Sequence, residues 1–175
     1  MGLAEAGQRD ADVAARQFLG PRRNSVFLAP IRSAAEASTH AEATAVSMRM
    51  IGSGISQQAF ALGRKILEVE RWLQSAPCPV FEVHPEVSFA ILLGEPARAS
   101  KKTWAGMLDR LGALKAAAIN LEYVDEAAGS SVAVDDMLDA AIAAWTAGRL
   151  ADGVARSFPE DPLTEASGRV VAIWA

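Results

Sequence analysis

The sequence predicts an α/β fold that is rich in helix and short of strand. Three observations carry that prediction. Several segments repeat apolar residues at helical spacing, with "VDDMLDAAIAAWTAGRL" the clearest of them. Only "VFEVH" and "RVVAIWA" read convincingly as strands, and they lie far apart in the chain. Alanine is abundant while aromatic residues make up only 6%, a composition that suits closely packed helices.

The elements follow in order. "RDADVAARQFLG" is a first helix, with Val13, Phe18 and Leu19 near one face, ended by Gly20-Pro21. "GPRRNSVFLAP" is a loop. Ser33 to Glu36 has the spacing of a capping box, so a second helix is expected from there to about Met50, before Gly52 and Gly54. A third begins after Ser56, where Leu62, Ile66, Val69 and Leu73 share a face. Pro77 and Pro79 interrupt the chain ahead of the strand "VFEVH". Pro85 suits the first turn of a short helix closed by Gly94. "EPARASKKT" is a loop, and a helix runs from about Thr103 to Ala118. After the irregular "INLEYVDEAAGSS" comes the long alanine-rich helix, then a proline-containing loop, "SFPEDPLTEASG", and the last strand. Nothing marks a linker or a repeat, so one domain over residues 1–175 is expected.

Composition narrows the function. A chain of 175 residues can bury about 70% of its unfolded surface. With 51% hydrophobic and 22% charged residues it is an ordinary globular chain. Its net charge of −4 argues against a protein that coats nucleic acid indiscriminately, so any such contact must use local basic loops. Cys78 is the only cysteine. That excludes an internal disulfide or a four-cysteine zinc site and points to a reducing cytoplasm. No apolar run reaches about 18 residues and the N-terminus lacks a signal-peptide pattern, so no membrane association is expected.

Two stretches could carry chemistry. In the alanine-rich helix, Asp136 and Asp139 are three apart and Asp135 and Asp139 four apart, which places the acids on one face. They either complement the helix dipole or hold a hard cation through carboxylate oxygens. In "VFEVHPEVSF", alternation puts Glu82 and His84 on one strand face and Phe81 and Val83 on the other. An acid inside an apolar strand needs a partner, a cation or solvent, whereas Glu86 in the first helical turn is explained by the dipole alone. The pairs Arg22-Arg23 and Lys101-Lys102 sit in loops beside hydroxyl residues, where they are either solvated or hold a phosphate. No phosphate-loop, dinucleotide-binding, zinc-protease or serine-hydrolase motif occurs.

Read in order, "ADVAARQFLGPRRNSVFLAP", "GISQQAFALGRKILEVE", "VFEVHPEVSFAILLG", "SKKTWAG" and "DDMLDAAIAAWTAGRL" resemble a bacterial family of unknown function whose members are predicted nucleases of the RNase H-like fold. More distantly the pattern is similar to RuvC-type Holliday-junction resolvases. The resemblance implies metal-dependent hydrolysis of nucleic-acid phosphodiesters with Mg²⁺ or Mn²⁺. It implies Glu82, Asp136 and Asp139 as catalytic metal-binding acids and Glu86 as a further ligand. Arg22, Arg23, Lys101 and Lys102 would contact phosphate. His84, read from its own stretch at the strand end, is either a hydrogen-bonded capping group or a ligand. It also implies two or three further strands ahead of "MGLAEAG", the first with an aspartate in a "VDG"-like context. The expectation is therefore an RNase H-like fold lacking its N-terminal strands. A non-catalytic remnant is the alternative, binding a partner or another copy of itself through an exposed strand edge at Val80–His84.

Overall fold

The structure is a computed structural model that describes residues 2–121, 132–165 and 168–175. The irregular segment expected around "EYVDEAAGSS" falls at 122–131, outside the described residues. The fold is α/β and helix-rich, as expected. Among the described residues, seven α-helices accompany one three-stranded sheet. The chain divides into two compact units. One comprises Met1–Gln17, Asn24–Glu82 and Ser157–Ile173; the other comprises Phe18–Arg23, Val83–Arg156 and Trp174–Ala175.

α1 (Asp10–Leu19), which belongs to the first unit as far as Gln17 and to the second from Phe18, begins with two acids that suit its dipole. It buries Ala11, Asp12 and Ala15 on one side. Gly20, at φ +50°, ends it in a left-handed conformation that glycine tolerates, and a 3-10 helix follows over Gly20–Ser25.

The single helix expected from Ser33 is instead two. α2 covers only Arg32–Ala35, and α3 covers His40–Ile51. The reason is a second capping signature, Thr39-x-x-Glu42, which prevails over Ser33-x-x-Glu36. The Thr39 hydroxyl accepts from Glu42 N at 3.2 Å, and Glu42 Oε2 accepts from Ser38 N at 3.0 Å. α4 (Gln57–Leu73) starts where expected, with Ser56 Oγ accepting from Ala59 N at 3.1 Å. Its Gly63 is required by packing: a Cβ would stand 2.8 Å from Pro30 and 3.0 Å from Ala35 of α2.

Of the strand expected over "VFEVH", only Glu82–Val83 pairs as β1, while Val80 and Phe81 stay exposed. The stretch expected as a proline loop is β2 (Ser157–Thr164), and β3 (Val170–Trp174) is the final strand as expected. The order β1-β3-β2 explains the miss. Pro159 and Pro162 discourage a central strand, but β2 is an edge, where a missing N–H is tolerated. β2 and β3 run antiparallel, with Arg156 and Ala175 exchanging backbone bonds at one end and Glu165 N donating to Arg169 O at the other.

In the second unit, α5 (Pro85–Leu93) is buried at five consecutive positions from Glu86 to Ala90, so it occupies the interior rather than a face. α6 (Trp104–Ala116) and α7 (Val134–Ala151) pack beside it. Phe89, Leu114, Leu138 and Ile142 form the fully buried core of this unit. Inside it, the Thr146 hydroxyl joins Ser88 Oγ at 2.8 Å and Ile142 O at 3.0 Å, which satisfies both buried hydroxyls.

Candidate functional site

Three of the candidate acids, Glu82, Glu86 and Asp139, are each met by a basic side chain. Glu82, on β1, accepts from both terminal nitrogens of Arg9, at 2.9 and 2.5 Å. Arg9 is itself buried just ahead of α1, and the same guanidinium reaches Asp12 Oδ1 at 3.0 and 2.5 Å. Asp12 completes the cluster by accepting Ala29 N at 2.7 Å through its other oxygen. One cation thus lies between two carboxylates.

Electrostatics follow from that ratio. Burial by itself would lower the Arg9 pKa, but the hydrogen bonds and charge of Glu82 and Asp12 outweigh it and hold the guanidinium further above its ordinary value. Asp12 is raised above its usual carboxylate value. Burial is the chief cause and the Glu82 charge adds to it, against the opposing pull of Arg9 and the Ala29 N–H.

Glu86 presents the opposite ratio. Proline at the first position of α5 places it in the first turn, with His84 as the extended N-cap whose carbonyl accepts from Val87 N and Ser88 N at 2.9 and 3.0 Å. Both Glu86 oxygens accept from Arg110 Nη2 at 2.9 Å. Arg110 comes from α6, has no exposed surface, and spends its other terminal nitrogen on Gly106 O at 2.8 Å and Ala99 O at 3.1 Å. The guanidinium also lies 5.3 Å from the Phe89 ring centre. From the 3-10 helix, Arg22 approaches Glu86 Oε2 at 3.6 Å, while its buried Nε has no hydrogen-bond partner among the described residues. Arg23 is exposed beside it.

α7 carries Asp135 and Asp136 in its first turn, Asp136 exposed, and Asp139 one turn further in. Lys101, from the loop before α6, donates to Asp139 Oδ2. Asp139 Oδ1 is buried without a hydrogen-bond partner among the described residues. Lys102 is exposed.

Two phosphate candidates and two acid candidates are therefore paired within the second unit, Arg22 with Glu86 and Lys101 with Asp139. Glu82 is held by Arg9, and Asp136 faces solvent. Among the described residues, no group of three or more His, Cys, Asp or Glu side chains lies close enough to hold a metal ion. Cys78 is free and exposed, and no described helix is long and apolar enough to cross a membrane.

Arg9, Asp12 and Arg110 were not anticipated, although the sequence carried signals for them. Arg9 and Asp12 stand three apart at a helix start, and Arg110 shares a helical face with the apolar Met107 and Leu114. A charge on a buried face demands a partner.

The family model described as "Protein of unknown function (DUF429)" matches residues 1–164. The chain belongs to this family. No curated protein and no solved structure matches this DUF429 chain.

Proposed function

We propose that this chain is a metal-dependent nuclease-family protein of RNase H-like type, acting on nucleic-acid phosphodiesters. The observation that carries the reading is the Lys101–Asp139 pair. A basic and an acidic candidate, 38 positions apart in sequence, meet in the second unit, and the acid keeps one buried oxygen without a partner.

That orphaned oxygen fits a hard cation. Asp139, with Asp136 one turn earlier on α7, would hold Mg²⁺ or Mn²⁺ through carboxylate oxygens. The bound ion supplies charge neutralisation and an acidified water. Exchange of partners at Asp139 frees the Lys101 ammonium for a phosphate oxygen, and Lys102 adds a second positive charge beside it. Arg22 has a similar capacity. Its loose contact with Glu86 and unpartnered Nε leave it able to accept a better anion, with Arg23 next to it. Glu82 and Glu86 are committed to Arg9 and Arg110, so α7 is the centre of this reading.

The test is thermal unfolding with and without Mg²⁺ or Mn²⁺. The intact chain should melt at a higher temperature with metal, and the Asp136→Asn, Asp139→Asn double variant should lose that shift. Lys101→Met should enlarge it by removing the competing ammonium. An intact chain whose melting ignores both metals ends the metal-dependent reading.

One observation favours a second reading, a non-catalytic module that self-associates. β1 lies at an edge of the sheet, and Val80 and Phe81 just before it are 40% and 46% exposed. Such an edge recruits another strand. Light scattering should then show mass rising with concentration, and a strict monomer would remove this alternative.

A further inference from the structure

We infer that the turn before α6 is a stacking platform for an unpaired nucleobase, which would make single-stranded nucleic acid the class of chain bound. This deepens the nuclease reading by naming its substrate class.

The inference starts from Trp104. It is the first residue of α6 and is 72% exposed, the most exposed of the large hydrophobic side chains among the described residues. Its indole face lies open to water, where it is available for stacking. Trp104 borders an open cleft of about 480 Å³ whose lining includes Lys101, Lys102, Thr103, Met107 and Asp135. A volume of that order suits a small planar group.

The turn that presents the ring is closely hydrogen-bonded. Thr103 Oγ1 accepts from Gly106 N at 3.2 Å and donates to Ser100 O at 2.8 Å. Lys102 N donates to Ser100 Oγ at 3.3 Å. Buried Arg110 binds the carbonyls of Ala99 and Gly106 from beneath. Gly106 admits the loop so closely that a Cβ would collide with the Ser100 carbonyl. Four anchors therefore fix the backbone at either side of an exposed indole. With the backbone fixed, only the two side-chain torsions of the indole remain to be ordered when a base stacks on it.

The exposed ring and the one ammonium beside it that forms no ion pair together select the occupant. Lys101 is tied to Asp139, but the Lys102 ammonium enters no ion pair among the described residues. Asp135 on the lining offsets Lys102, so the cleft carries no net positive charge and cannot hold a duplex by its backbone alone. One aromatic face beside one or two ammonium groups matches a single nucleotide unit, base on ring and phosphate on lysine. A base inside a duplex presents no free face.

The test is fluorescence anisotropy of short labelled oligothymidylate, oligouridylate and a fully paired blunt-ended duplex, titrated with the full chain in EDTA at several salt concentrations. Single strands should bind more tightly than the duplex. Trp104→Ala should weaken single-strand binding about tenfold, and Trp104→Phe should restore most of it. Lys102→Ala should flatten the log–log salt dependence by about 0.7. A preference between the two oligomers reports the 2′-hydroxyl together with the thymine methyl, and equal binding assigns recognition to the pyrimidine ring and phosphate that they share. Failure of the intact chain to bind either single strand overturns the inference, as does a Trp104→Ala variant that binds like the intact chain, or equal affinity for the duplex. Because metal is chelated, binding here without any metal-dependent melting shift would leave this inference standing and remove the nuclease reading. A melting shift without Trp104-dependent binding would do the reverse.

Discussion

The two units solve the same problem, a buried arginine, in opposite proportions. In the first, one guanidinium, Arg9, serves two carboxylates, Asp12 and Glu82. In the second, one carboxylate, Glu86, faces two guanidiniums, Arg110 closely and Arg22 at 3.6 Å. The Asp12 pKa is raised, chiefly because the carboxylate is buried, and the second negative charge of the cluster, on Glu82, adds to it. The surplus positive charge of the second sits on Arg22, which is partly exposed and loosely held. A surplus sealed inside tunes stability with pH. A surplus on a half-exposed arginine is available to an anion.

Deleting one acid from each cluster breaks this comparison most directly. Glu86→Ala leaves the fully buried Arg110 without its carboxylate and should cost about 3–5 kcal/mol. Glu82→Ala leaves Arg9 balanced by Asp12 and should cost about 1–2 kcal/mol through the lost charged hydrogen bonds. Denaturant unfolding of the two variants checks the ranking, and a costlier Glu82→Ala would refute the charge ratio as its cause.

A smaller effect sharpens the first half of the contrast. Asp12 holds its proton more tightly folded than unfolded, so folding takes up protons from its ordinary value of 3.8 upward to its raised native value. Its contribution to stability therefore falls as pH rises through that window. The stability of the intact chain relative to Asp12→Asn should shrink with rising pH there, measured by urea unfolding at stepped pH. An advantage that instead grows would show that Arg9 depresses the Asp12 pKa.

The smallest effect compares helix caps. Thr39→Ala in the first unit and Thr103→Ala in the second each remove an N-cap, worth about 1 kcal/mol. Thr103→Ala should cost the more, because Thr103 also donates to Ser100 O. Equal losses in melting experiments would mean that this second bond adds nothing.

Much of the helical framework was legible because its punctuation is local. Ser56, Pro85, Gly94 and Thr103 each mark a boundary through their own backbone or hydroxyl chemistry. The break at Thr39 was misread because two capping signatures six residues apart compete, and sequence alone does not rank them. β2 was misread because a strand with two prolines is acceptable only at an edge, and edge position depends on which strands lie beside it. The site was legible in part. Asp139 and Lys101 were both expected to matter, but their pairing spans 38 residues and depends on how α6 and α7 pack. Arg9 and Arg110 were missed since their partners come from other elements, and a local pattern shows only that a charge occupies an apolar face.

Gly106 has a consequence for anyone who reads function from tolerance to substitution. Added bulk there would push the Ser100 carbonyl aside and disturb the lysine-bearing turn without touching any reacting group. In a saturation screen position 106 should score as intolerant as a true catalytic residue, and a ranking by sensitivity alone would mistake a spacer for chemistry.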